Sequence, residues 1–152
     1  MEAKAQGYLD TQAGARPGVN GTAIRTARIA KRFGKFCVVG SSGVVVNTLV
    51  LYLLHERFVL PLVIASPIAV EMAILNNFFW NNYWTFGQEG ARWVDFGRFN
   101  LVALGGLAIT TLILVYLSEG RGMFYLLANL AAIAVATTWN FAVNSLWTWN
   151  SR

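Results

Sequence analysis

The stretch Asn77-Phe-Phe-Trp-Asn-Asn-Tyr-Trp-Thr-Phe86 is written a second time, in altered form, as Asn140-Phe-Ala-Val-Asn-Ser-Leu-Trp-Thr-Trp149. In both copies a long apolar run leads in, two Asn stand four residues apart, and a Trp-Thr-aromatic triplet follows. Residues at i and i+4 share one face of a helix. Amides inside apolar sequence are unfavourable unless they find partners, and Trp suits the amphipathic zone where a helix leaves a bilayer. Each copy therefore reads as the end of a membrane-spanning helix.

The displacement from Asn77 to Asn140, 63 residues, aligns most of the chain without a gap. Phe33, Gly34, Lys35 and Phe36 fall on Phe96, Gly97, Arg98 and Phe99. Gly43, Thr48, Leu49, Leu54 and Glu56 fall on Gly106, Thr111, Leu112, Leu117 and Glu119. A chance match of apolar segments would keep hydrophobicity but not Gly, Glu, Asn and Thr in register. The pattern predicts an internal duplication, with repeats at 33–86 and 96–149.

With 56% hydrophobic and only 12% charged residues, the composition is not that of an ordinary soluble domain. One Cys, Cys37, and one His, His55, exclude a disulfide framework and argue against a Cys/His metal cluster or a His-dependent catalytic set. No catalytic residue, metal or cofactor is expected. The net charge of +5 could suggest nucleic acid, but the basic residues lie almost wholly outside the apolar segments, where membrane topology explains them.

Residues 1–23 carry no apolar periodicity and read as a disordered cytoplasmic tail. Over 24–35, Arg25, Arg28, Lys31, Arg32 and Lys35 recur at three- and four-residue steps between Ile24, Ala27, Ala30 and Phe33, the pattern of a basic interfacial helix. Segments 36–54, 60–80, 99–117 and 123–146 then reach about the twenty residues needed to cross a hydrocarbon core. The fold expected is an all-α membrane protein of four transmembrane helices in two helical hairpins. The 81–98 link, with Trp93, Phe96 and Phe99 at three-residue steps, is expected to run partly along the membrane surface.

Lys and Arg decide the orientation. Lys4, Arg16, Arg25, Arg28, Lys31, Arg32, Lys35, Arg92, Arg98 and Arg152 fall on one side and only Arg57 and Arg121 on the other, so both termini should be cytoplasmic. Two spans per repeat bring the second copy in with the same orientation as the first. A pseudo-two-fold axis along the membrane normal is expected, with equivalent residues at equal depth.

The pattern Phe-Gly-Lys-Phe-x-x-x-Gly at 33–40, with Asn-Phe-x-x-Asn-x-x-Trp-Thr-Phe at 77–86, resembles the GtrA-like family of small four-span membrane proteins over 32–149. The resemblance implies a role in cell-envelope glycosylation. Such proteins are proposed to move a polyprenyl-phosphate-linked monosaccharide across the plasma membrane, or to assist the glycosyltransferase that makes it. Family members often carry Arg or Lys directly after the second Asn, whereas this chain has Asn82 and Ser145. A phosphate would then depend on Lys35, Arg98 or Arg32.

The residues offer a counterpart for each part of such a ligand. Lys35, Arg98 and Arg32 can meet a phosphate; Asn77, Asn81, Asn140, Asn144 and Asn47 can meet hydroxyls; Trp84 and Trp147 can face a sugar ring. The same Asn residues could equally tie helices together, and the Trp residues could simply anchor the interface. Gly40, Gly43, Gly105 and Gly106 read as close-packing positions, with Asn47 and Thr110 bonding across that contact. Glu71, replaced by Ala134 in the second copy, is the one ionisable side chain well inside a span and is expected on the polar pathway or bonded to a neighbouring helix. Two alternatives to a flippase remain: a non-transporting anchor for a polyprenyl-phosphate glycosyltransferase, and a small multidrug-type exporter. A homo-oligomer or complex is expected, because four spans make a thin wall for a sugar pathway.

Overall fold

The computed structural model describes residues 19–150, all of whose regular elements are helical. Four long helices follow one another: α1 Val19–Tyr52, α2 Leu62–Trp80, α3 Trp93–Val115 and α4 Tyr125–Val143. Each continues into one π-helical turn, at Leu53–Arg57, Asn81–Thr85, Tyr116–Gly120 and Asn144–Thr148. All four are long and apolar enough to cross a membrane. The protein is an all-α membrane protein.

The chain divides after Arg32 into two units, each described by itself. The first contributes the opening turns of α1, whose residues 21–32 are all exposed. Most of the tail expected over 1–23, and Arg152, lie outside the described residues, but 19–23 are already helical. The helix assigned over Val19–Tyr52 takes in both the basic stretch and the start of the first apolar segment. Nothing in 24–36 stops a helix: the stretch holds no Pro, and its single Gly34 costs only about 1 kcal/mol. The link also differs from expectation, because α3 begins at Trp93 and makes Trp93, Phe96 and Phe99 part of the third helix.

From Phe33 onward the helices form a bundle whose contacts recur in pairs displaced by 63. Phe33 meets Phe141 edge-on at 5.2 Å, as Phe96 meets Phe78 at 5.3 Å. Phe36 lies 5.7 Å from Phe141, as Phe99 lies 5.8 Å from Phe78. Phe86 and Trp149, which end the two copies of the motif, stack on each other at 4.0 Å. A rotation that exchanges the copies would exchange these contacts and leave the Phe86/Trp149 stack in place. With Phe36, Phe78 and Phe99, that stack makes an aromatic core at one end of the bundle.

Away from this end the interfaces are built from small residues. Ala65, Ala69, Ala128 and Ala132 are fully buried, while Leu, Ile and Val side chains cover the outside. Lipid removes the hydrophobic incentive to hide large side chains, so small ones bring backbones together. The two hairpin turns are equivalent as well: Leu60 donates to the Leu54 carbonyl at 3.0 Å and Met123 to that of Leu117 at 2.9 Å. The residue before each must take a positive φ, Val59 at 55° and Gly122 at 66°.

Candidate functional site

The Asn pairs sit where each α-helix opens into its π-turn. Asn77 and Asn140 lie in the last α-helical turn, and Asn81 and Asn144 begin the π-turns, both about 1% exposed. Each upstream Asn lies against a glycine of the preceding helix, Asn77 on Gly43 and Asn140 on Gly106, where a Cβ would overlap the amide. Those two glycines are required by close approach. Gly105 does the same for the Trp139 ring, whose Nε1 would stand 3.2 Å from an added Cβ, whereas Gly40 has open space before it.

All four Asn line one cavity of about 560 Å³ inside the bundle. Phe36 and Phe99 close it toward the aromatic core, and Cys37, Gly40, Ser41, Val44, Ile74, Ala103, Ile133 and Thr137 complete the wall. The amides are unequally satisfied. Asn144 Oδ1 accepts from Thr148 Oγ1 at 2.7 Å, while in the first copy Asn81 Oδ1 and Thr85 Oγ1 are buried with no partner, as is Asn140 Oδ1. A buried acceptor left unpaired costs about 1–3 kcal/mol, so the cavity as built favours an occupant with donor groups.

The two expected cations take equivalent places. Lys35 Nζ donates to the Trp84 carbonyl at 2.9 Å and lies 4.9 Å from that ring's centre. Arg98 Nη1 donates to the Trp147 carbonyl at 3.4 Å, its Cζ 5.7 Å from the Trp147 ring. Each cation therefore caps orphan carbonyls at the end of its own repeat and holds a half-exposed Trp by cation–π attraction. Neither cation lines the cavity, although the adjacent Phe36 and Phe99 do. Arg32 belongs to the first unit and is exposed there.

Glu71 is exposed on α2 and is not part of the cavity wall. Asn47 Oδ1 is buried without a partner, outside the cavity wall, and Thr110 bonds the Gly106 carbonyl of its own helix at 2.9 Å.

Several residues that matter here carried no readable signal. Asn82, in the place of the expected base, is fully buried; it donates to the Gly90 carbonyl and accepts from Trp149 Nε1, both at 3.1 Å. It fastens the link and the second motif to the first. Asp95 is fully buried and held by Arg92 through bonds of 2.8 and 2.9 Å, with Arg98 at 4.0 Å. The hydrogen bonds that Arg92 donates to the Asp95 carboxylate raise the guanidinium above its ordinary pKa, so Arg92 stays charged through the neutral range. Asn76 bonds Ser42 Oγ at 2.9 Å, in the place where the second copy sets Trp139 against Gly105. Among the described residues no group of three or more His, Cys, Asp or Glu could hold a metal.

A cavity lined by four Asn amides between four apolar helices defines a multi-pass membrane domain. The chain belongs to the GtrA/DPMS transmembrane-domain family, whose model matches residues 35–149. A dolichol-phosphate mannosyltransferase of Pyrococcus furiosus is 38% identical over 120 residues, covering 78% of this chain and 34% of the archaeal protein. The chain thus spans about a third of that relative. An uncharacterized membrane protein of Bacillus subtilis, YngA, is 33% identical over 123 residues, covering 77% of this chain and 78% of the bacterial one.

Proposed function

We propose that the chain carries a polyprenyl-phosphate-linked monosaccharide across the plasma membrane for cell-envelope polysaccharide glycosylation. The supporting observation is the cavity in which Asn77, Asn81, Asn140 and Asn144 converge. Its volume of about 560 Å³ falls in the range of roughly 300–1,000 Å³ usual for small-molecule sites. A sugar hydroxyl stripped of water needs a replacement partner, and the open Asn81 and Asn140 acceptors supply one at the place where the spans are otherwise apolar. The family match and the name of the archaeal relative agree with a lipid-phosphate sugar as cargo.

In this reading Lys35 and Arg98 meet the phosphate at the headgroup level. Lys35 uses one of three ammonium donors on the Trp84 carbonyl and keeps two for an anion. Trp84 and Trp147 stand beside those cations and offer ring faces to the sugar as it enters. Both termini face the cytoplasm. The domain works as a homo-oligomer or beside a membrane-associated glycosyltransferase.

The test uses purified protein in proteoliposomes loaded on one leaflet with radiolabelled polyprenyl-phosphate-glucose or -mannose, read by periodate accessibility of the sugar. The protein should expose the sugar on the opposite leaflet, and Asn81→Ala with Asn140→Ala should slow this by roughly tenfold or more. Exposure no faster than in protein-free vesicles, together with a co-purifying glycosyltransferase that this protein accelerates, replaces the carrier by an anchor.

A further inference from the structure

The cavity does not respect the internal repeat, and its departure has a direction. On α1 it follows the stripe Cys37, Gly40, Ser41 and Val44, at spacings of three and four residues along one helical face. On α4 it runs from Asn144 back to Ile133. The positions equivalent to Ser41, Val44 and Ile133 are Leu104, Leu107 and Val70, and none of these reaches the cavity. The hollow therefore extends between α1 and α4 and stops short between α3 and α2.

The wall changes character along that extension. At the inner end Asn81 and Asn144 are almost fully buried and Phe36 and Phe99 close the floor. Along the extension Ser41 and Val44 are exposed, Val44 at 67%, and Ile133 at 47%. Residues that line a cavity while facing the outside of a membrane-spanning bundle mark a lateral opening, and the medium beyond it is hydrocarbon. The opening offers only Val, Ile and the small Ser, whereas the inner end offers unpaired amide oxygens.

We infer that the gap between α1 and α4 is a lateral portal for an apolar chain. A lipid enters sideways, places its polar head among the Asn amides and leaves its hydrocarbon tail lying out between Val44 and Ile133. This rests on the carrier reading of the cavity and adds the route and the side of the bundle by which the lipid enters. Only one of the two equivalent clefts is used, so the bound lipid has a single orientation.

The experiment employs the full chain in phosphatidylglycerol/phosphatidylethanolamine vesicles with a polyprenyl phosphate bearing a diazirine on its hydrocarbon tail. Photolabelling should fall on α1 and α4 around Val44 and Ile133. The double variant Val44→Trp, Ile133→Trp should lose the label by roughly tenfold, while Leu107→Trp with Val70→Trp, the equivalent change on the other cleft, keeps it. Unchanged circular dichroism and a monodisperse elution profile establish that each variant is folded. Equal labelling of both clefts overturns the portal, as does parental labelling in the Val44→Trp, Ile133→Trp variant. Labelling of the α1/α4 portal without sugar transport keeps the portal and removes the carrier reading; transport at the parental rate in the Val44→Trp, Ile133→Trp variant removes the portal and keeps the carrier.

Discussion

Gly43 and Gly106 are the residues at which one methyl group decides the site. A Cβ at either would occupy the place of the Asn77 or Asn140 amide, so Ala must push that amide away. Overpacking costs about 1–3 kcal/mol, against the roughly 0.5–1 kcal/mol that Ala gains over Gly within a helix. Gly43→Ala should therefore lower the melting temperature in detergent and weaken binding of lipid-linked sugar. Gly97→Ala, which meets open space, should be neutral or slightly stabilising. Val59 offers the opposite case, a β-branched residue at φ 55° where the second hairpin has Gly122. Relief of about 1–3 kcal/mol of strain outweighs the roughly 0.4–1 kcal/mol that extra unfolded-state freedom removes, so Val59→Gly should raise the melting temperature. At this scale the Asn spacing was readable, because i and i+4 fix a common face. The burial of Asn82 and Asp95 was not readable, since Asn82 meets Trp149 from 67 residues away and Asp95 is sealed by tertiary packing.

Between helices the two copies solve one contact in two ways. Ser42 with Asn76 makes a hydrogen bond where Gly105 with Trp139 packs a ring against bare backbone. Asn76→Trp alone should clash with Ser42, and Ser42→Gly alone removes a hydrogen-bond acceptor from Asn76. The double change reproduces the second copy's pair and should recover most of the loss. Thermal unfolding of the three variants should give a coupling of roughly 0.5–3 kcal/mol; simple additivity would mean the pairs are not interchangeable. The start of α3 depends likewise on one pair, since Asp95 holds Arg92 at the helix entrance. Asp95→Asn should speed tryptic cleavage after Arg92, read by mass spectrometry. Four spans were legible from apolar run length alone. The π-turns were not, because apolar periodicity cannot tell a turn with an i→i+5 bond from one with i→i+4.

For the molecule as a whole, the Lys and Arg asymmetry should place Glu56 and Glu119 outside the cell and Glu89 inside. On a Cys37→Ala background, Glu56→Cys should react with an impermeant maleimide added to intact cells and Glu89→Cys only after lysis; the reverse would invert the protein. Glu71 stands apart from the cavity, so Glu71→Leu should leave binding of lipid-linked sugar unchanged. Its exposed carboxylate lies midway along α2, a place where an ionised group costs a few kcal/mol in hydrocarbon, and native mass spectrometry of the variant reports whether oligomers depend on it. The stack of Phe86 on Trp149 has a consequence of another kind. Since each motif ends by meeting its own counterpart, and Phe33, Phe36, Phe96 and Phe99 each reach across to the other copy, the two halves hold each other mainly through aromatic contacts inside the bundle. The link then serves chiefly to keep the halves at high local concentration, which for short tethers is on the order of millimolar. Cut after Glu89 and co-expressed, the two fragments should find each other in the membrane and rebuild the cavity, so the chain behaves as a tethered heterodimer of its own halves.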